Sequence, residues 1–387
     1  MKLGFFAYDN AAGDAMAILA KSAEELGHQV VLFPKQVLGY AVEHAAEMRD
    51  CDVVVTGLSS FQTQEELDLV EMLDKGSIKW VMFEDVPGTC MRPLVKTRDM
   101  VWRADLVLLA SPAVAEAAKE FGYRCPLVYV GPPPQWRKEY ETLMAAIASN
   151  KRMEMETRSW RGQIVKGPLG DGGRMSDYML VGGRTVIGLI GGKDPAENNR
   201  VIKIVASVVD DMSDAVIAFG EHPGEKAERK EGMSDYEFEA EKARFGRLFA
   251  EREEMLRGVW VADTSNWKGA ELAAAADVMV YASGTNISIV GAFARRPAVY
   301  LDDESVRARI AKQSGGDGSW FVAEFGGAYK AKSVNDLLSC IMAALSKPGR
   351  DELCRWQEAA FPLPDDWHTE DKIIRALEDL VDLVKVY

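Results

Sequence analysis

The chain has 387 residues, 48% of them apolar and 27% charged, with five cysteines and a formal net charge of −14. That length suits two domains, and the acidic balance argues against a sequence-independent nucleic-acid binder, which needs basic surface to displace counterions. No window approaches the roughly 18–20 apolar residues of a membrane span. The scattered Cys51, Cys90, Cys125, Cys340 and Cys354 form no metal-binding cluster, which points to a reduced cytoplasmic setting without a zinc site.

The first residues, MKLGFFAYDN, read as a strand (Leu3–Ala7) and not as a signal peptide. Helical spacing of Met16, Leu19, Ala23 and Leu26 predicts a helix over Ala15–Leu26, ended by Gly27-His28. Apolar runs predict strands at Gln29–Phe33, Asp52–Thr56, Ile78–Phe83, Asp105–Ala110 and Leu127–Val130, separated by helices near 39–49, 62–75 and 112–121. Such alternation implies a parallel sheet covered on both faces.

GPPP at 131–134 breaks the rhythm, and residues 135–157 read as helix. Residues 158–184 hold seven glycines and five basic against two acidic side chains, which reads as a flexible, locally positive loop. Strands resume at Val186–Ile190, Val216–Phe219, Val259–Ala262, Val278–Tyr281 and Ala298–Leu301. Residues 221–257, with eleven acidic and eight basic side chains and a stripe of Phe238, Phe245, Phe249 and Leu256, read as a solvated amphipathic helix. A last helix over 369–386 carries one apolar face, Ile373, Ile374, Leu377, Leu380, Val381 and Val384. The expected organisation is an α/β chain of two Rossmann-like domains. They span 1–134 and 185–366, joined by 135–184, and residues 367–387 form a helix that crosses back to the first domain. Ligands of such sheets sit outside the carboxyl ends of the strands.

Three stretches resemble the GT-B nucleotide-sugar glycosyltransferases. RADLVLLASPAVAEAAKEFGYRCPLVYVGPPP (103–134) is similar to the end of their first domain. IGLIGGKDPAENNRVIKIV (187–205) is similar to the opening of their nucleotide-binding domain. AADVMVYASGTNISIVGAFARRPAVYLDD (275–303) is similar to the donor-phosphate loop and the helix after it. AAGD (11–14) and ASGT (282–285) resemble lipid-A disaccharide synthase, and GEHP (220–223) resembles the His-Pro motif of bacterial sialyltransferases. The chain departs from the pattern at Val290, where many of these enzymes hold the donor ribose with Glu. It departs again at Ala282, where retaining enzymes place a Glu, and at Glu197, where a basic residue is usual.

Ser283, Gly284, Thr285 and Asn286 follow a strand and open a helix, so they can cap it, cradle a donor diphosphate, or do both. Gly191, Gly192 and Lys193 suit an anion but form no Walker motif. His222 can bond or protonate a departing phosphate. Asp14, with Asp9 as a rival, is placed to take an acceptor proton or to sit on the helix dipole. Glu84 and Asp85 resemble the acidic pair of the His-Pro sialyltransferases, interrupted by Val86-Pro87. His28, His44 and His368 read as structural.

The function the resemblance implies is transfer of a sugar from a nucleotide-sugar donor, such as a UDP-sugar, to an acceptor, by a metal-independent inverting displacement. The nucleotide sugar is a substrate, so no cofactor is expected. Rival readings are a nucleotide-sugar epimerase or hydrolase of the same fold and a non-catalytic binding protein. A nucleic-acid-modifying transferase has support only from the basic 158–184 segment.

Overall fold

The computed structural model describes residues 1–8, 10–33, 46–57, 63–73, 78–154, 157–159, 184–192, 194–212, 214–222, 227, 233–255, 260–262, 267–314, 317–363 and 367–385. The chain forms two compact units. One comprises Met1–Lys138, Arg307–Gly326 and Trp356–Tyr387; the other comprises Glu139–Val306 and Gly327–Arg355.

Among the described residues, the first unit holds a six-stranded parallel sheet of β1 (Lys2–Phe6), β2 (Gln29–Phe33), β3 (Val53–Gly57), β4 (Lys79–Phe83), β5 (Leu106–Leu109) and β6 (Leu127–Tyr129), in the order β2-β1-β3-β4-β5-β6. β3 and β5 are buried along their whole length, as strands covered on both faces must be. The second unit holds β7 (Thr157–Ser159), β8 (Thr185–Ile190), β9 (Ala215–Gly220), β10 (Trp260–Ala262), β11 (Val278–Tyr281), β12 (Ala298–Leu301) and β13 (Tyr329–Ala331), in the order β13-β12-β11-β8-β9-β10-β7. These strands pair in parallel except β7, which runs antiparallel to β10. This is the expected pair of doubly wound α/β sheets.

Some local expectations change. The first helix spans Asn10–Glu25, so it starts five residues early and leaves Leu26 outside it and exposed. Gly27, at φ 85, ends it: its N–H reaches Glu24 O at 2.9 Å and His28 N–H reaches Ala23 O at 3.0 Å. The predicted helix at 135–157 is a 3-10 turn (Pro134–Trp136), a helix (Arg137–Ala148) and a second 3-10 turn (Lys151–Glu154), broken where Asn150 takes φ 50. β7 and β13 are three residues each, too short to show a period in sequence. The acidic segment forms a helix over Asp235–Met255 with Phe245 buried; Leu256 lies outside the described residues. The helix expected near 39–49 falls mostly on residues outside them, as does nearly all of 158–184.

The last helix, Thr369–Lys385, belongs to the first unit. Ile373, Ile374 and Leu377 are fully buried in one cluster with Leu3, Phe5, Met16, Leu19, Val53 and Val55, and Leu380 and Val381 lean on it. Val384 lies beyond the described side chains. The GPPP segment receives this end of the chain: Thr369 Oγ1 donates to Pro132 O at 3.0 Å and Trp367 Nε1 to Pro133 O at 3.2 Å. Arg137 adds a bidentate pair to Glu370 at 2.5 and 2.6 Å. Proline carbonyls suit this use, because their residues have no N–H to offer in a ladder. Among the described residues, no helix is long and apolar enough to cross a membrane.

Candidate functional site

In the second sheet the chain runs from β8 to β9 and β10 on one side, and from β11 to β12 and β13 on the other. The loops after β8 and β11 therefore leave in opposite directions from neighbouring strands. That reversal opens a crevice at the carboxyl edge, where doubly wound sheets take their ligands. Register places Val280 beside Leu189, so both loops begin at the same height.

After β11, Thr285 caps the helix Asn286–Phe293: its Oγ1 accepts from Ser288 N–H at 3.3 Å, and Ser288 Oγ donates to Thr285 O at 2.7 Å. Ile289, Val290, Ala292 and Phe293 are buried and anchor this helix. Ser283 is half-buried, while Gly284 and Asn286 are exposed. The first N–H groups of a helix have no intrahelical acceptor, and the dipole makes that end favourable to an anion. Val290, at the ribose-Glu position of the resemblance, faces the core; a carboxylate there would be desolvated.

The terminus after β8 is closed. Asp194 caps the helix Pro195–Val209 by accepting from Ala196 N–H at 3.0 Å, and Pro195 has no N–H. Gly191 N–H goes to Gly220 O at 2.9 Å and Gly192 N–H to Asn198 Oδ1 at 2.8 Å. The two glycines, expected as phosphate donors, thus use those N–H groups inside the protein. Their small size matters instead: a Cβ on Gly191 would stand 2.8 Å from Asn198 Nδ2 and 2.9 Å from Phe219 Cζ. Lys193 lies outside the described residues. Glu197 is neutralised by Arg200, with two bonds of 2.8 Å, and Arg200 also reaches Asp303 at 2.6 Å. These bonds, with Glu197 first, raise the guanidinium pKa above its ordinary value.

A third loop meets the other two. A Cβ on Gly269 would lie 3.0 Å from Ile287 Cγ1 and 3.4 Å from Ile190 Cδ1, so the start of the helix Gly269–Ala275 rests on the end of β8 and the first turn after β11. One strand further, His222 is half-buried two residues beyond β9. Its neighbour Glu221 pairs with Arg252 at 3.3 Å. Arg252 is buried, 4.8 Å from the Phe219 ring and 5.2 Å from the Phe249 ring, and donates to Asn199 Oδ1 at 2.9 Å. Asn198, Asn199, Arg200 and Arg252 were not singled out in sequence. The adjacent asparagines on an otherwise apolar helical face were their only signal.

In the first sheet the corresponding reversal lies between β1 and β3. Asp14 is exposed, but it is the fifth residue of its helix and not at the terminus, because the helix begins at Asn10. Ala11 and Ala12 are strong helix formers that extend it toward β1. Asp9, like His44, lies outside the described residues. Glu66, also not singled out, is fully buried and accepts from Tyr8 N–H at 3.0 Å, which ties the loop after β1 to the helix Thr63–Met72.

Glu84 and Asp85 are fully buried at the end of β4. Glu84 is a clamp on the backbone: it accepts from Gly88 N–H at 2.9 Å, Cys90 N–H at 3.4 Å and Ala110 N–H at 3.3 Å. Asp85 accepts through its carbonyl from Trp136 Nε1 at 3.2 Å. The turn between them and Cys90 needs Gly88, which has φ 86 and would bring a Cβ within 2.4 Å of the Phe321 ring. Among the other histidines, His28 pairs with Glu378 at 3.2 Å, joining the end of the first helix to the last, and the exposed His368 stands 3.9 Å from Glu370.

Burial pushes the Glu84 carboxyl up to about 7 from 4.5, outweighing the N–H groups that lower it. An unfolded chain loses this proton above about pH 4.5, while the folded chain holds it until about pH 7. Stability should therefore fall as pH rises through that window, by about 3 kcal/mol, and then level off. Urea unfolding of wild type and Glu84→Gln at pH 4.5 and 7.5 checks this: the difference between the two proteins should change by that amount, with wild type losing. A pH-independent difference refutes it.

No protein-family model and no curated protein matches the chain. Solved structures do match along nearly its whole length. A Staphylococcus aureus structure titled as an MnaA–UDP co-structure is 12% identical, with 99% of this chain and 97% of that one covered, at a TM-score of 0.55. A putative UDP-N-acetylglucosamine 2-epimerase from Listeria monocytogenes is 12% identical over 97% of this chain and 95% of that one, at 0.54. Acinetobacter baumannii MurG is 13% identical, with both chains fully covered, at 0.52. The chain has the GT-B fold. At such identity the likeness concerns the path of the GT-B backbone, and the residues at each crevice are this chain's own.

Proposed function

We propose that this GT-B chain acts on a nucleotide sugar, binding the donor diphosphate at Ser283–Asn286 and moving the glycosyl group to an acceptor. One observation carries the reading. Of the two helix termini at the switch point of the second sheet, the one after β8 is closed by Asp194, and the one after β11 presents exposed Gly284 and Asn286. In the proposed displacement the acceptor oxygen bonds to the anomeric carbon as the bond to the diphosphate breaks. Asp14, exposed on the first helix, takes the acceptor proton; Glu84 and Asp85 are buried and hold backbone. The helix terminus and His222 stabilise the charge that develops on the departing phosphate.

A thermal-shift series with UDP, GDP, CDP, CMP and dTDP tests the binding step. A ligand that binds only the folded protein stabilises it by about 2.7 kcal/mol at a hundredfold excess over its Kd. Gly284→Val should abolish the shift while leaving the unfolding transition of the unliganded protein in place, because Gly284 is exposed. A variant that binds as wild type does makes the loop a cap only.

A second reading, an epimerase or hydrolase acting on the same donor, draws support from Glu84, a carboxyl that holds its proton near neutrality at the carboxyl edge of the first sheet. Donor turnover with water alone favours it over transfer.

A further inference from the structure

We propose that Asn198 is a positioning residue of the donor site, one that turns the Gly192 peptide away from the bound anion; this rests on the nucleotide-sugar reading. Asn198 stands in the first turns of the helix Pro195–Val209 and is 5% exposed. Its carboxamide pairs both ways with one residue: Oδ1 accepts from Gly192 N–H at 2.8 Å, and Nδ2 donates to Gly192 O at 2.8 Å. Such a two-bond ring fixes the peptide orientation more tightly than a single bond, because both dipoles must rotate together to leave it.

The consequence is electrostatic. A glycine-rich loop beside an anion can present either a donor N–H or an acceptor C=O, and glycine permits both orientations. A carbonyl facing a phosphate repels it. Here the Gly192 carbonyl is held on a buried amide, while Gly191 N–H is tied to Gly220 O and the absence of a Cβ there leaves room for Asn198 itself. The β8 side of the crevice is thereby a fixed wall of small residues. The donors come from the terminus after β11. Removing Asn198 frees the Gly192 peptide to turn its oxygen toward the ligand, so the loss should fall on phosphate and spare the nucleoside.

Isothermal titration of wild type, Asn198→Ala and Asn198→Asp with UDP and with uridine tests this, alongside amide exchange at Gly192. Asn198→Ala should weaken UDP at least tenfold and uridine less than threefold, and speed Gly192 exchange at least tenfold. Asn198→Asp keeps an acceptor for the Gly192 N–H but cannot donate to its carbonyl. It should preserve slow exchange yet still lose UDP selectively, which covers the case in which the alanine variant fails to fold. UDP binding within twofold of wild type, or equal losses for UDP and uridine, overturns the proposal. Wild type binding neither UDP nor another nucleoside diphosphate defeats the parent reading instead. The hold on the loop is then judged by exchange alone, and an unchanged Gly192 rate in Asn198→Ala overturns it.

Discussion

Removal of residues 368–387 is expected to unfold the first unit. Ile373, Ile374 and Leu377 are fully buried against strands β1 and β3 and the first helix, in the same cluster as Leu3, Phe5, Val81 and Phe83. Burying three such side chains contributes about 5–9 kcal/mol, at ~1.5–3 kcal/mol each. Domains are stable by only about 5–15 kcal/mol in total. The truncation also strips the Pro132 and Pro133 carbonyls of Thr369 and Trp367 and leaves Arg137 without Glu370. A helix that merely rested on the surface would be removable without this loss. Leu377→Ala is the graded version, expected to cost about 2–5 kcal/mol as a large-to-small change in a packed core. Urea unfolding of the truncated chain and of Leu377→Ala reads both effects. A truncated chain with the wild-type unfolding midpoint would show that the helix is dispensable to this core.

His222→Ala is expected to lower kcat/KM by about a hundredfold or more on the true donor, the scale of a positioned proton donor or a lost charge-stabilising group. The side chain has little freedom to be elsewhere. It follows Gly220, which is paired with Ile190, and the intervening Glu221 is held by the buried Arg252. His222→Gln separates two roles. Glutamine can still donate a hydrogen bond, so it should recover part of the rate if His222 only stabilises charge. It should stay as low as alanine if a proton is transferred. Wild-type turnover in His222→Ala removes the residue from the site.

Several features were readable because they depend on near neighbours in the chain. The runs Val53–Gly57 and Leu106–Leu109 are apolar throughout, which already says that both faces of these strands are covered. Thr285 as a cap and Gly27 as a helix stop are local backbone chemistry. The resemblance located the loops at 187–205 and 275–303, and the two begin on adjacent strands of one sheet. Other features were not readable. The short strands β7 and β13 carry too few residues for a period, and the five residues by which the first helix starts early contain no proline or strong cap to mark a boundary.

The sequence by itself determined the α/β alternation, the apolar face of the last helix and the small polar residues at a strand–helix junction, since each is set by residues a few positions apart. Tertiary structure decided which of those features meet. Only strand order makes β8 and β11 neighbours whose loops diverge, and so only the fold distinguishes the open terminus at Asn286 from the one closed by Asp194. Only packing takes water away from Glu84 and brings Gly88, Cys90 and Ala110 to it, which makes an apparent catalytic acid a clamp on the backbone. Desolvation and hydrogen-bond partnership are properties of a place in space. A carboxylate 26 residues from the N–H it accepts has no local signal of that partner.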